Sequence, residues 1–388
     1  MTRTVAIAHS ILDLFNPANA GLTRGGRSKV PPADRWIWLS AMFLMALGTV
    51  MVLSSSAMLA DRKFGSPGFF WVRQLVWWGL ATALLIGVSR IDHRKFRTWA
   101  PLMLLIAFAL IVTARLLPPI KDVHRWIDLG PFRLQPAEVF RLSFVVYAAA
   151  FLAKRGEAIE SWKSWIVLVG ILAVGSVLLI SLPEFSAALT LWGTSGLLLI
   201  AAGVRWRHVL PAAGVAVIGA IVVVYGIGYK TERVNQWAEG LTITGGMYQV
   251  QQSKYAFGSG GPLGQGLGQG IAKMSYLPEP HTDFILASIG EELGFVGVTC
   301  VWMAFGLLVY RGWRAAMRAP DRFGYLLCIG IGASLFVNAA LNASVAMGLS
   351  PVTGLPLPLV SYGGSSLLCT AVGWGMVLNV SRFRLAQA

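Results

Sequence analysis

Charge is scarce in this sequence, and its absence is the first informative feature. Only 13% of the 388 residues are charged while 56% are hydrophobic, a balance outside the range of soluble globular domains. The three cysteines, Cys300, Cys328 and Cys369, all fall in apolar stretches. They are too scattered for metal-ligand spacing and make no disulfide framework. No internal repeat divides the chain into matching halves, which argues against an inverted-repeat transporter. No cleavable signal peptide is expected, because a polar segment of about 35 residues precedes the first apolar run and no small-residue cleavage site follows it.

What the sequence has instead is a series of apolar runs long enough to cross a bilayer, which takes about 20 residues per helix. Ten candidate spans meet that test, at residues 36–58, 68–89, 99–118, 136–153, 165–182, 186–204, 209–229, 284–310, 323–347 and 363–380. The expected fold is an all-α polytopic membrane protein: a basic tail (1–35), one ten-helix membrane domain (36–384) and a short end (385–388). Ile7, Ile11, Leu14 and Phe15 in the tail are spaced for a helix on the membrane surface, although a disordered tail also fits. Basic residues are distributed unevenly. With the amino terminus inside, the inner segments hold 20 of the 32 Lys and Arg and the outer loops nine, so both termini are expected in the cytoplasm. The net charge of +15 then reflects topology and anionic lipid, not nucleic acid.

Most loops are short. The exception, residues 230–283, is an extracytoplasmic segment long enough to build a site. Ionisable residues within spans are costly and point to function. Here Arg73, Arg115, Glu138, Arg141, Glu184, Glu291 and Glu292 all lie towards the outer side, which suggests one polar, outward-opening cavity. The run from Tyr255 to Gly270 holds glycines dense enough to point backbone N–H groups at an anion; a tightly turned linker is the alternative. The run from Tyr276 to Phe284 brings Glu279, His281 and Asp283 to the mouth of the eighth span. Asp283 there suits a general base, or an N-cap for the helix that follows. Three prolines between Pro351 and Pro358 forbid regular helix. Ser361, Tyr362, Ser365 and Ser366 beside them either line a wet cavity or belong to a structural turn.

Read together, these motifs resemble the SEDS family (shape, elongation, division and sporulation). The matching stretches are His124-Arg-Trp-Ile-Asp-Leu-Gly130 with Gln135-Pro-Ala-Glu138, Gly258-Ser-Gly-Gly261 with Gly266-Leu-Gly268, the Tyr276–Phe284 run, Gly290-Glu-Glu-Leu-Gly294, and residues 351–366. They follow the family's order across nearly the whole chain. Leu47 through Ser56, the basic tail and Ile289-Gly-Glu-Glu292 are more similar to the division branch than to the elongation branch. The resemblance implies a peptidoglycan glycosyltransferase that polymerises lipid II into glycan strands at the outer face during cell division. It makes Asp283 the catalytic residue and maps the family's ion pair onto Glu138 and Arg141. Candidate substrate contacts are Arg73, Gln135, Glu138, Arg141, Ser259, Gly260, Lys273, His281, Ser361 and Ser365. The partners it implies are a class B penicillin-binding transpeptidase and other divisome membrane proteins. Departures are Ala137 for the usual Ser, Arg141 for Lys, Gln265 for a Lys before Gly-Leu-Gly, and Leu182-Pro-Glu-Phe-Ser186 for Gln-Pro-Asp-Phe-Gly.

The chemistry is consistent with that implication. Outside the cytoplasm there are no nucleotide sugars, so the donor must be lipid-linked. Its pyrophosphate leaves as an anion, to be stabilised by Arg73, Arg141, Lys273 or a divalent cation such as Mg or Mn. A lipid II flippase and a non-catalytic divisome scaffold are the rival readings. Topology is tested with single cysteines, Gln265→Cys and Gln387→Cys, in a background lacking the native three. A membrane-impermeant maleimide should label the first in intact cells and the second only after lysis.

Overall fold

The computed structural model describes residues 33–383, apart from 121–122, 131, 156–161, 227–230, 240–246 and 275–276. The apolar face expected in the amino-terminal tail lies outside the described residues.

The helices are α1 (Arg35–Phe64), α2 (Phe69–Ser89), α3 (His93–Leu116), α4 (Pro136–Arg155), α5 (Trp162–Ser181), α6 (Phe185–Ala201), α7 (Trp206–Ile221), α8 (Thr231–Glu239), α9 (Tyr248–Gly260), α10 (Ile285–Met317), α11 (Arg322–Ala346) and α12 (Gly364–Val380). Seven of them are long and apolar enough to cross a membrane, and α5, α6 and α12 are shorter apolar helices. Together they match the ten expected spans. Several run further than expected: α1 continues to Phe64, α3 begins at His93, and α10 continues to Met317. A π-helical turn, Val222–Gly226, extends α7. The long segment before α10 contains α8 and α9. A short antiparallel pair, β1 (Ile127–Asp128) with β2 (Arg133–Leu134), precedes α4.

Three helices that start on the same face of the bundle begin with an aspartate N-cap, which satisfies an otherwise orphaned first-turn N–H. Asp34 accepts from Trp36 N, Asp92 from Arg94 N, and Asp321 from Gly324 N. Asp34 also pairs with Arg311, and its own N–H donates to Ser381 Oγ at 3.1 Å. The two ends of the membrane domain therefore meet on one face, here called the terminal face. The opposite face carries the long segment and the 351–362 loop.

α11 and α4 are central; α11 packs against α4, α6, α10 and α12, and α12 packs along α2. Phe140, Phe144, Phe323 and Trp374 are fully buried among them. One helix is broken. Gly294, nine residues into α10, has φ 66° and ψ −164°, a conformation that side chains with a β carbon avoid. The break frees peptide groups on both sides, and the glycine-rich segment takes them up. Gln265 N donates to Glu291 O at 2.9 Å and Gly266 N to Glu292 O at 3.0 Å; in return Phe295 N donates to Gly261 O and Val296 N to Pro262 O. Gly264 and Gly294 approach so closely that a β carbon on either would strike the other strand's backbone. Gly294→Ala should therefore combine backbone strain with overpacking and cost about 2–4 kcal/mol, read as a lowered melting midpoint of the purified protein.

Candidate functional site

Asp283 lies on a backbone fixed at three successive carbonyls. Tyr362 N donates to His281 O at 3.0 Å, Ser361 Oγ to Thr282 O at 2.5 Å, and Asn342 Nδ2 to Asp283 O at 2.8 Å. The same Asn342 nitrogen donates to Leu355 O, and Ser361 Oγ accepts from Leu357 N. α11 and the proline-rich loop thus position the segment ahead of α10. The Asp283 carboxylate is half-buried, and a β carbon on Gly354 would sit 3.4 Å from its Oδ2. The capping expectation is corrected: α10 begins at Ile285, and its N-cap position is Phe284, without a side-chain cap. The carboxylate of Asp283 stands one residue earlier.

The neighbouring His281 is buried, its ring 4.8 Å from Phe70 and 5.7 Å from Tyr362. Its Nδ1 has no hydrogen-bond partner among the described residues, and its Nε2 lies 3.9 Å from the exposed Glu279 carboxylate. Burial pushes the imidazole below its usual range; Glu279 opposes that shift and Lys63 adds to it. Burial raises the Tyr362 phenol, against the opposing pull of the Arg73 guanidinium that hydrogen-bonds it. Arg73 is exposed and lies over the Phe69 ring at 4.6 Å. An accessible cation on α2 therefore stands beside Tyr362, in the loop that braces Asp283.

A second polar centre lies inside the bundle. Glu138 and Arg141, in the first turns of α4, form a buried ion pair, and Arg141 Nη1 donates to Asn338 Oδ1 at 2.8 Å. They line a small cleft of about 30 Å³, walled by Leu142, Leu335, Pro358, Thr370 and Trp374. Asn338 and Asn342 are four apart on α11, so they share one face about one turn apart. One asparagine holds the ion pair and the other holds Asp283, which makes the two centres neighbours.

The remaining candidates are placed elsewhere. Glu184 is buried, accepts from Gln135 Nε2 at 2.8 Å and lies 3.6 Å from Arg125. Ser365 accepts from Gln135 N and donates to Arg133 O, tying β2 to α12. Gln135 and Ser365 thus form a strut, as Ser361 does beside Asp283. Glu291 accepts from Ile271 N and Ala272 N; Glu292 accepts from Gly268 N, from Ser54 Oγ and from Lys273 Nζ at 2.7 Å. The anion held by the glycine-rich segment is accordingly the chain's own pair of carboxylates, and Lys273 is already neutralised. Ser259 Oγ donates to Ala256 O, and Gly260 packs directly on the Gly290 backbone. Arg115 is exposed at the end of α3. The seven ionisable residues therefore divide among separate sites and do not form a single cavity. Sequence reasoning missed Asn338, Asn342, Ser54, Lys63 and Arg125. The two asparagines carried a signal, a polar pair at i, i+4 within an otherwise apolar span. Among the described residues, no group of three or more His, Cys, Asp or Glu side chains is arranged to hold a metal ion.

A family model described as "Cell cycle protein", covering FtsW, RodA and SpoVE, matches residues 34–385. The chain belongs to the SEDS family. SEDS relatives include stage V sporulation protein E of Bacillus subtilis, 35% identical over 92% of this chain and 99% of that protein. A probable peptidoglycan glycosyltransferase FtsW of Geobacter metallireducens is 39% identical over 90% and 94%. Among solved structures, a chain of a peptidoglycan synthase complex that coordinates polymerization and crosslinking superposes with a TM-score of 0.74 at 26% identity, over 90% of this chain and 98% of that one. RodA of Thermus thermophilus does so with a TM-score of 0.67 at 26% identity, over 92% and 98%. The chain is thus a multi-pass membrane protein of SEDS type.

The Glu138–Arg141 pair of this SEDS chain gives a direct test. Removing one partner leaves an uncompensated buried charge and should cost about 3–5 kcal/mol, measured as melting of the purified protein. The exchange Glu138→Arg with Arg141→Glu should recover more stability and activity than either change alone.

Proposed function

We propose that this chain is a peptidoglycan glycosyltransferase that polymerises lipid II at the outer face of the cytoplasmic membrane during cell division. The observation that carries this is the Asp283 carboxylate, half-buried on a backbone pinned at residues 281, 282 and 283, with the exposed Arg73 of α2 beside Tyr362 of the loop that pins it. The relatives that bear the name FtsW and the synthase-complex neighbour point to the same activity.

In the reaction, an acceptor hydroxyl attacks the anomeric carbon of a lipid-linked sugar. The new glycosidic C–O bond forms as the C–O bond to the pyrophosphate breaks. Asp283 takes the hydroxyl proton, and the polyprenyl pyrophosphate departs with the bonding pair. A pyrophosphate is already a good leaving group and needs positive charge more than a proton donor. Arg73 supplies that charge, steadied by Tyr362 and Phe69. A divalent cation such as Mg or Mn would supply further positive charge at the same leaving group.

The terminal face is assigned to the cytoplasm on the excess of basic residues, which places Asp283 outside, where lipid-linked donors are the available substrates. A class B penicillin-binding transpeptidase fits the likeness to a synthase complex, and the division branch fits a place at the septum. Asp283→Asn keeps the side chain's size and removes the base. It should lower polymerisation of purified lipid II by about 10²–10⁴-fold while leaving insertion and melting unchanged. A rate near that of the unaltered chain would reject the assignment.

A further inference from the structure

The glycine-rich segment, residues 261–274, presents a feature that glycosyl transfer does not use. Its apolar side chains point away from the bundle: Leu263 is 80% exposed, Leu267 and Ile271 are each 54% exposed, and Met274 is also exposed. In a water-filled loop four such side chains are a liability. They recur at every fourth position from 263 to 271, with Gln265 and Gln269 between them.

The level of this segment follows from the helices it touches. The part of α10 after the break, residues 295–317, is about 35 Å of helix against about 30 Å of hydrocarbon, so it is long enough to cross alone. Tyr310 and Trp313, with rings 6.1 Å apart, mark its terminal-face boundary beside Arg311 and Arg314, as aromatic belts do. The continuous helix from Tyr310 back to Phe295 covers about 24 Å, which puts the break at Gly294 close to the other boundary. α1, tied to α10 through Asp34–Arg311 and Ser54–Glu292, gives a consistent level. Counting roughly 20 residues from Arg35 reaches Ser55, and its neighbour Ser54 is bonded to Glu292. The segment pairs with residues 291–296 and therefore sits at the outer edge of the hydrocarbon.

Its backbone is prepared for that position. The N–H groups of Gln265 and Gly266 and the carbonyls of Gly261 and Pro262 are bonded to α10, and those of Gly268, Ile271 and Ala272 to the Glu291 and Glu292 carboxylates. Such internal satisfaction is the condition for non-helical backbone at membrane depth. The α10 residues that receive it, Phe295 at 71% exposure and Val296, continue the apolar surface onto the lipid-facing side of the helix.

We infer that residues 261–274 are an interfacial membrane segment that inserts Leu263, Leu267, Ile271 and Met274 among the acyl chains of the outer leaflet, with Gln265 and Gln269 at the head groups. The long segment between α7 and α10 is thus anchored in the bilayer beside the break in α10. This does not depend on the catalytic assignment of Asp283.

The test uses the full chain, without a partner, in lipid nanodiscs. Nitroxide labels are placed singly at Leu263→Cys, Leu267→Cys, Ile271→Cys, Gln265→Cys and Gln269→Cys, in a background lacking the native cysteines. Collision with oxygen, which partitions into lipid, is compared with collision with a water-soluble nickel chelate. The oxygen-to-nickel ratio at the three apolar positions should exceed that at the two glutamines by about threefold or more. The unaltered chain provides a second measurement: a phospholipid carrying a diazirine on its acyl chain should tag peptides within 261–274 as well as those of α10. Nickel access at Leu263 equal to that at Gln265 would overturn the inference. So would tags confined to the helices.

Discussion

The bundle depends on one constraint: peptide groups that leave helical geometry at membrane depth must find partners inside the protein. α10 breaks at Gly294, and the resulting orphans are bonded by residues 261–266, which need partners themselves. The proline-rich loop faces the same requirement. It meets it by exchanging bonds with residues 281 and 282 and through Asn342. Neither irregular segment is stable at that depth alone, so each fixes the other elements it touches.

The placement of Asp283 follows from this mutual bonding. Asp283 is not held by a helix cap; it is held through the carbonyls of its own segment, by groups from α11 and from residues 361 and 362. The same face of α11 carries Asn338, which orients Arg141 against Glu138. A shift of α11 would therefore move the carboxylate and the buried ion pair together. Most of the other charges near this face are neutralised within the chain: Glu292 by Lys273 and Ser54, Glu184 by Gln135 and Arg125. Arg73 differs from them in being exposed.

The opposite face relies on capping. Asp34, Asp92 and Asp321 each begin a helix, and His93 is buried between the last of these and Asn379, with its Nε2 3.3 Å from Asp321 Oδ2 and its Nδ1 3.3 Å from Asn379 Oδ1. Asn379 also accepts from His93 N and donates to Ser89 O. These polar contacts link α2, α3, α11 and α12, while the other face stays open for irregular segments.

The ten spans were legible in the sequence because crossing hydrocarbon requires length and apolarity, and both are properties of contiguous residues. The family was legible for a related reason, since its motifs are short runs in a fixed order. Asp283 and the Glu138–Arg141 pair could be named from those runs. What could not be read was which polar groups face each other. The glycine-rich segment looked like a cradle for an external anion, but only the folded chain brings Glu291 and Glu292, about twenty residues away, into it. Ser361 and Ser365 looked like lining groups for the same reason. A hydroxyl's role depends on what lies opposite it, here Thr282 O and Arg133 O, from segments 79 and 232 positions away. Local pattern determines which residues enter the membrane; pairing at long sequence separation, set by how the broken helix and its partners close on each other, decides which of them are left for chemistry.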